Sequence, residues 1–297
     1  VETFKLEENH VVTQSGKRHD YDIIAIATGS RSMPEDIPGL AENSINVYTE
    51  KAALEFHKSL CEFQGGKVVV SVGVPHKCPM IPLEVTFMMH DFFQEQGILE
   101  KVQLHYTYPI GRLHSLEPVG KWAKKEFDRL GITYETLFNM KEVDGDKKVL
   151  HSEEGTEVAY DLLVAIPPHK GMEVIDTNGL GKSGWIPTDR HRLNIEGHEN
   201  AFVLGDTTNL PISKAGSTAH FEAEALADNI ASMVKIGRSV RDYDGKVFCF
   251  IEAGKETATY AMFSYNNPPD PKPATKSIHW FKMAYNQMYW ASARGLL

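Results

Sequence analysis

The feature that most constrains this chain is a repeated unit: an apolar run that stops at a glycine, then a polar turn, then a helical stretch. "YDIIAIATGS" is apolar from Ile23 to Ala27 and reaches Gly29, "KVVVSVGV" reaches Gly73, and "NAFVLGD" reaches Gly205. Apolar runs of this kind read as strands buried on both faces, the habit of parallel sheets. Helical stretches alternate with them: "TEKAALEFHKSLCEF" with Thr49 as N-cap, "LEVTFMMHDFFQEQGI" closed by Gly97, "EPVGKWAKKEFDRLGI", and "AGSTAHFEAEALADNIASMVKIG". The alternation predicts an α/β fold with parallel sheets. Residues 1–20 read as two short strands about a turn at "TQSGKRHD". "TYETLFNMKEV", "KKVLHSEE" and "TEVAYDLLVAIPP" read as a three-strand meander turning at "DGD" and "EGT". The end of the chain reads as two more strands, a Pro-rich linker "NNPPDPKPATK" and an aromatic helix.

A length of 297 residues suffices for two domains. The net charge of -9 argues against bulk nucleic-acid binding. No run of about 18 apolar residues is present to span a membrane as a helix. Three cysteines, Cys61, Cys78 and Cys249, are too few for a disulfide scaffold, and a bonded pair among them is expected to be catalytic. The chain opens at Val1-Glu2-Thr3, already strand-like, and is expected to lack an N-terminal part.

The turn after the second strand, "GVPHKCPMIPLE", carries the sharpest chemical signal. A dinucleotide-binding unit would show G-x-G-x-x-G here, but only Gly73 is present, and Pro75, Pro79 and Pro82 each remove a backbone donor. A pyrophosphate is not cradled by such a turn, so the expected electron donor is not a nicotinamide. Cys78 stands there instead, beside His76 and Lys77 and before the helix at Leu83. Each neighbour favours a thiolate, so a lowered thiol pKa is expected; the bland alternative is an inert buried cysteine. Cys249, between aromatics in "VFCFIEAG", reads on its own as a core strand residue. After the third strand, Asp206 precedes a helix start near Ala215. Such a start offers free N–H groups to a flavin edge or a phosphate, against the alternative of an Asp capping a surface turn.

"ATGS…IPG", followed much later by V-x-GD, resembles the two-dinucleotide-domain flavoprotein reductases. That resemblance implies FAD, with Asp206 on its ribityl chain and Thr28, Gly29, Gly205, Lys214 and Ala215 around it. The family places its FAD fingerprint ahead of "ATG", yet only 26 residues precede Ala27, with one glycine, Gly16. A βαβ unit needs roughly 30 residues, so the pyrophosphate site is expected to be missing and this sequence to be a fragment. The loop cysteine, the late C-F-x-E-x-G from Cys249 to Gly254, "GDTTNLPISKAG" and "HWFKMAYNQMYWASARGLL" together resemble the sulfide:quinone oxidoreductases. The resemblance implies that Cys78 and Cys249 are a redox pair near the flavin, bridged by a disulfide or by sulfur atoms. Sulfide attacks the bridge, a persulfide forms, and a thiolate donates two electrons to FAD. Many members carry a third working cysteine; Cys61, only 17 residues before Cys78, is read as structural, which leaves the sulfur release route open. Lys214 is a candidate positive charge for reduced flavin or a quinone oxygen, His114 a proton carrier among thirteen histidines, and Glu84 a proton relay beside Cys78.

After Asp270 the last 27 residues hold no acid, but carry Lys272, Lys276, Lys282 and Arg294. Trp280, Phe281, Tyr285, Tyr289 and Trp290 fall within thirteen positions. Aromatics and basic residues together suit a membrane interface, so the tail is expected to attach the protein to a membrane surface, on the cytoplasmic face, and to flank a quinone. A packing or dimer helix is the plain alternative, and self-association stays open. The expected fold is two Rossmann-like dinucleotide-binding domains with an amphipathic helical tail. Residues 1–62 and 156–242 form an incomplete FAD domain, 63–155 a degenerate NAD(P)-like domain, and 243–297 a quinone and membrane region. The expected function is FAD-dependent sulfide oxidation with electron transfer to quinone. Its rivals are a flavocytochrome c-type sulfide dehydrogenase and a non-catalytic, membrane-associated sulfur-binding protein.

Overall fold

The computed structural model describes residues 1–294; Gly295, Leu296 and Leu297, at the end of the expected membrane tail, lie outside the described residues. The chain divides into two compact units: residues 1–31, 169–248 and 263–267, and residues 32–168, 249–262 and 268–297. Packing thus hands the chain over at Arg31/Ser32 and Pro168/His169, whereas the sequence boundaries at 62/63 and 155/156 follow nucleotide-binding role.

The larger unit is built on a four-stranded parallel sheet, in the order Leu162–Ile166, Gly66–Val72, Val102–Tyr108, Thr133–Thr136. Val68, Val69, Val70 and Val72 are all buried, as a central parallel strand requires. The connections are helical: Ile81–Glu95 follows the Val-rich strand and Glu117–Leu130 follows the next. Phe87 packs edge-on against Trp122 and Phe127, and Phe127 against Tyr106, so both helices share one aromatic core. Each fully buried Phe there stabilises by about 1.5–3 kcal/mol. Glu50–Glu62 is a further helix, and the Thr49 side chain accepts from the Ala52 N–H as expected of its cap.

The expected meander is present in part. Met140–Asp144, Val149–Ser152 and Glu157–Ala159 form a three-stranded antiparallel sheet. The outer two runs break, however, and Thr133–Thr136 and Leu162–Ile166 join the parallel sheet instead. The break at the second run is fixed by Asp161, whose carboxylate accepts the Lys67 N–H at 2.7 Å. Gly66 is required beside it, since a Cβ there would lie 2.3 Å from Asp161 Oδ2. A hairpin, Val247–Glu252 with Ala258–Phe263, lies mostly in this unit, as do the C-terminal helix Lys276–Gln287 and the short helix Tyr289–Ala293.

The smaller unit holds an antiparallel sheet of three strands, Thr3–Lys5, His10–Val12 and Arg18–Asp20, where two were expected. The third forms because the turn closes within Thr13–Lys17, with the Thr13 N–H donating to the Lys17 carbonyl at 3.0 Å. Ile24–Ile26 pairs in parallel with Ala201–Val203. Of the Ile23–Ala27 run only Ile26 is buried, and Ala25 and Ala27 are exposed, contrary to the expectation of burial throughout. The pair is two-stranded among the described residues, and its covered face is the one Ile26 shares with Phe4, Ile186, Ile195 and Val203. The long helix Gly216–Ile236 follows and ends at Gly237 in the left-handed region.

Candidate active site

The candidate site residues gather on two polar turns, one in each unit. In the larger unit the Val-rich strand ends at Gly73, whose N–H donates to the Ile166 carbonyl at 2.8 Å. The chain then turns through Pro75 to Cys78, which has φ +48°, a left-handed conformation that non-glycine residues seldom adopt. Prolines on both sides narrow the alternatives. The Cys78 carbonyl accepts the Ile81 N–H at 3.0 Å and so leads into the helix.

The thiol does not behave as the sequence suggests. Burial, the neighbouring Cys249 and Glu84 push the Cys78 thiol up to about 12, against which the first-turn amides of Ile81 and Met80 pull more weakly. The expected thiolate therefore does not form in the resting state. His76 fails to supply a positive charge because burial lowers its pKa to about 4. Lys77 places its ammonium 5.8 Å from the centre of the Tyr48 ring.

Cys249 is buried on the hairpin strand of the same unit, and its thiol is close enough to Cys78 to act on its charge. No disulfide joins the two. Cys61 is exposed at the end of its helix, its Sγ 3.6 Å from His57 Nε2. Beneath the pair lies a chain of charged groups. Lys282 Nζ donates to Glu84 Oε1 at 2.7 Å and lies 3.4 Å from Glu252 Oε1. The Glu252 N–H donates to Glu84 Oε1 at 2.9 Å, and His279 Nδ1 reaches Glu252 Oε2 at 3.0 Å. Burial raises the Glu84 pKa, opposed by Lys282, while for Lys282 the pull of both glutamates outweighs its desolvation and raises it.

Sequence reasoning found Glu84 but missed Glu252, Lys282 and His279 as a group. The available signal was the i, i+3 spacing of His279 and Lys282, which puts them on one helix face. The same contacts correct the reading of the tail. Lys272 pairs with Asp270, Lys276 with Glu256 at 2.5 Å, and Lys282 with the buried glutamates, so three of its four positive charges already have acidic partners. What the tail does present is apolar: Trp280 is 69% exposed and Trp290 69%, with Phe281 and Tyr289 also exposed and Tyr285 half-buried. Phe281 and Tyr285 lean on Phe250, next to Cys249. His114 is fully buried, and burial with the nearby His76 lowers its pKa to about 3. A ring held neutral in this way does not carry protons by titrating near neutral pH, contrary to the role expected for it.

In the smaller unit, Thr28 Oγ1 lies 2.9 Å from Thr207 Oγ1, and Ser30 Oγ donates to Asp206 Oδ2 at 2.9 Å. The fold thus brings "ATGS" and "GD" together, with Gly29 and Gly205 both at positive φ. Lys214 Nζ donates to the carbonyls of Asp206 at 2.9 Å and Thr208 at 2.5 Å, and sits 4.3 Å over the Trp185 ring. It is not an exposed loop lysine; burial lowers its pKa to about 8 against the pull of Asp206 and Glu222. Ala215 begins the helix Gly216–Ile236 without a side-chain cap. Ser217 Oγ and Thr218 Oγ1, in its first turn, are buried with no protein partner. Uncapped amides, orphaned hydroxyls and a lysine fit the electron-rich edge of a flavin. Glu222, fully buried six residues into this helix, went unread in the sequence.

The family pattern described as pyridine nucleotide-disulphide oxidoreductase matches residues 2–223, so the chain belongs to that family. Its members are FAD-dependent flavoproteins. Within it, the chain is similar to the mitochondrial sulfide:quinone oxidoreductase of Dictyostelium discoideum, 29% identical over 283 residues, covering 89% of this chain and 61% of that protein. It is similar as well to the mouse (Mus musculus) mitochondrial protein of that name, 25% identical over 276 residues, with the same coverage of each. Among solved structures it resembles the sulfide:quinone oxidoreductase of Aquifex aeolicus with a TM-score of 0.87 and 24% identity, over 99% of this chain and 74% of that one. The expected two-domain α/β fold stands on that likeness. The chain spans about three fifths of the length of the two curated relatives.

Proposed function

We propose that this chain belongs to an enzyme that oxidises sulfide and passes the electrons to a quinone. The observation that carries the reading is that Cys249, 171 positions from Cys78 in sequence, lies in the same unit, where its thiol and the Glu84 carboxyl both act on the charge of the Cys78 thiol. In the oxidised pair the sulfurs are bridged. Hydrosulfide adds to one bridging sulfur as the S–S bond breaks, leaving a persulfide on one cysteine and a thiolate on the other. Loss of two electrons and one proton then joins persulfide and thiolate through the added sulfur. FAD, when bound, supplies the two-electron acceptor, and quinone is the final oxidant.

The protein's own part is positional and protonic. Thr28, Gly29, Gly205, Asp206, Lys214 and the amides after Ala215 would hold the flavin. Burial keeps the Cys78 thiol protonated until sulfur chemistry engages it, which protects it from adventitious oxidation. Glu84, its acidity weakened by burial beside Cys78, takes and returns the proton. Trp280, Phe281, Tyr285, Tyr289 and Trp290 serve the quinone and the membrane surface, and no helix among the described residues is long and apolar enough to cross a membrane. The exposed aromatics favour a lipid-borne acceptor over a haem partner. The deciding experiment is mass spectrometry of the protein after exposure to sulfide and oxidant. Added sulfur mapped to Cys78 and Cys249 is the expected result; a protein whose cysteines gain no sulfur would defeat the reading.

A further inference from the structure

Glu222 is 0% exposed, and its two oxygens are treated unequally. Oε2 accepts the Gly205 N–H at 2.5 Å, while Oε1 is buried with no protein partner. Gly205 is the first residue of the "GD" turn, at φ +75°, so Glu222 grips the very peptide that presents Asp206. The charged and titratable groups acting on Glu222 come from three places. Asp206 and Lys214 lie in the turn and the loop after it, Tyr243 follows the helix, and Tyr265 follows the hairpin. Lys214 gives its hydrogen bonds to backbone carbonyls, and its help to Glu222 is through space alone. A carboxylate there has one hydrogen bond and an incompletely matched charge; a carboxylic acid has a proton to offer from Oε1. Neither form is fully satisfied, the condition under which a buried acid changes state with the charge around it.

We propose that Glu222 is a proton-exchanging positioning residue of the flavin-binding unit: it binds one proton when negative charge builds at the Asp206–Lys214 turn and releases it when that charge leaves. No electron passes through Glu222; one proton moves between Oε1 and solvent, and the Gly205 hydrogen bond weakens as the acid forms. The assignment of the turn to FAD rests on the function proposed above, but the titration does not. Burial, outweighing the Gly205 hydrogen bond and the attraction of Lys214, raises the Glu222 pKa to about 7, within reach of small changes in nearby charge.

Difference infrared spectroscopy of the full chain against pH provides the test. A protonated-carboxyl band that fades as pH passes about 7, and that is missing from Glu222→Gln, is expected. Lys214→Met, which removes the nearby positive charge, moves the fading to higher pH. A band that survives unchanged in Glu222→Gln overturns the assignment. The second readout is the midpoint potential of the flavoprotein as a function of pH. Around neutrality its slope is expected to be shallower in Glu222→Gln than in the parent; equal slopes overturn the coupling to flavin charge. A protein that carries the FAD pyrophosphate site as well, shows the band and still binds no FAD refutes the function and leaves the titrating acid standing. Glu222→Gln keeps an acceptor for Gly205, and retention of the Glu222→Gln thermal transition at acidic pH establishes that it folds.

Discussion

The two turns use burial to opposite ends. At Gly73 the turn is filled by prolines, donors are removed, and the group set in their place is a thiol pushed up to about 12. At Gly205 the helix start stays uncapped, donors are kept, and the acid behind them is brought to about 7. The first acid stays protonated through the whole working pH range; the second is poised to change. One strand–turn–helix plan therefore presents either side-chain sulfur or free backbone N–H, the groups that the proposed function assigns to sulfur chemistry and to flavin binding.

The largest effect expected from breaking this contrast is at the thiols. In the proposed chemistry both sulfurs form and break S–S bonds, so Cys78→Ser and Cys249→Ser are each expected to lower sulfide-dependent flavin reduction by about 10³-fold or more, roughly 4 kcal/mol. Stopped-flow bleaching of the flavin band measures it, and a loss below about tenfold in either variant would remove that cysteine from the bond-breaking step. Cys61→Ser, at an exposed helix end, is expected to leave the rate within about twofold.

Next comes the charge chain under the pair. Lys282→Met leaves Glu84 and Glu252 without their shared cation, and removing one partner of a buried ion pair costs about 3–5 kcal/mol. Urea unfolding is expected to show a midpoint lowered accordingly, recovered in large part when Glu84→Gln is added. An unshifted midpoint would mean that the tail lysine contributes no net stability.

Much of this was legible beforehand. The alternation of apolar runs and helices sufficed for the parallel sheet because buried central strands leave a composition signal, as Val68 to Val72 do. The proline-filled turn was legible because proline's missing N–H is a local fact. The net direction at Cys78 was not, since His76 and Lys77 are visible in sequence while the burial that neutralises one and outweighs the rest is tertiary. Lys282 escaped for the same reason: its partners lie 198 and 30 positions away. Glu222 looked like one of many helix acids, because nothing local marks a glutamate that faces a glycine 17 positions earlier.

At the second turn the expected effect is a pH dependence of stability. The folded-state pKa of Glu222 is raised to about 7 from 4.5, so the folded protein holds a proton that the unfolded chain has released. Its contribution is fully present below pH 4.5 and is lost as pH rises through about 7, the reverse of a salt-bridged carboxylate. The loss is on the order of 3 kcal/mol by pH 8. Glu222→Gln is expected to abolish this component, so parent and variant converge at acidic pH and diverge above neutrality with the variant the more stable. Parallel stability curves across that window would count against a raised pKa.

The smallest effect lies in the tail, where the comparison turns from buried to exposed groups. Trp280 and Trp290 have little to lose on replacement, being 69% exposed each, so Trp280→Ser and Trp290→Ser are expected to leave the unfolding midpoint nearly unchanged. If these side chains enter a bilayer interface, each removal instead weakens binding to vesicles by about 1–2 kcal/mol, near tenfold in affinity. Because three of the tail's four basic residues already have acidic partners, the binding should depend only modestly on anionic lipid and on salt. Vesicle sedimentation of the full-length protein over zwitterionic and anionic lipid separates the two contributions. Affinity that collapses with added salt but ignores the tryptophans would return the tail to an electrostatic role and its aromatic face to protein contacts.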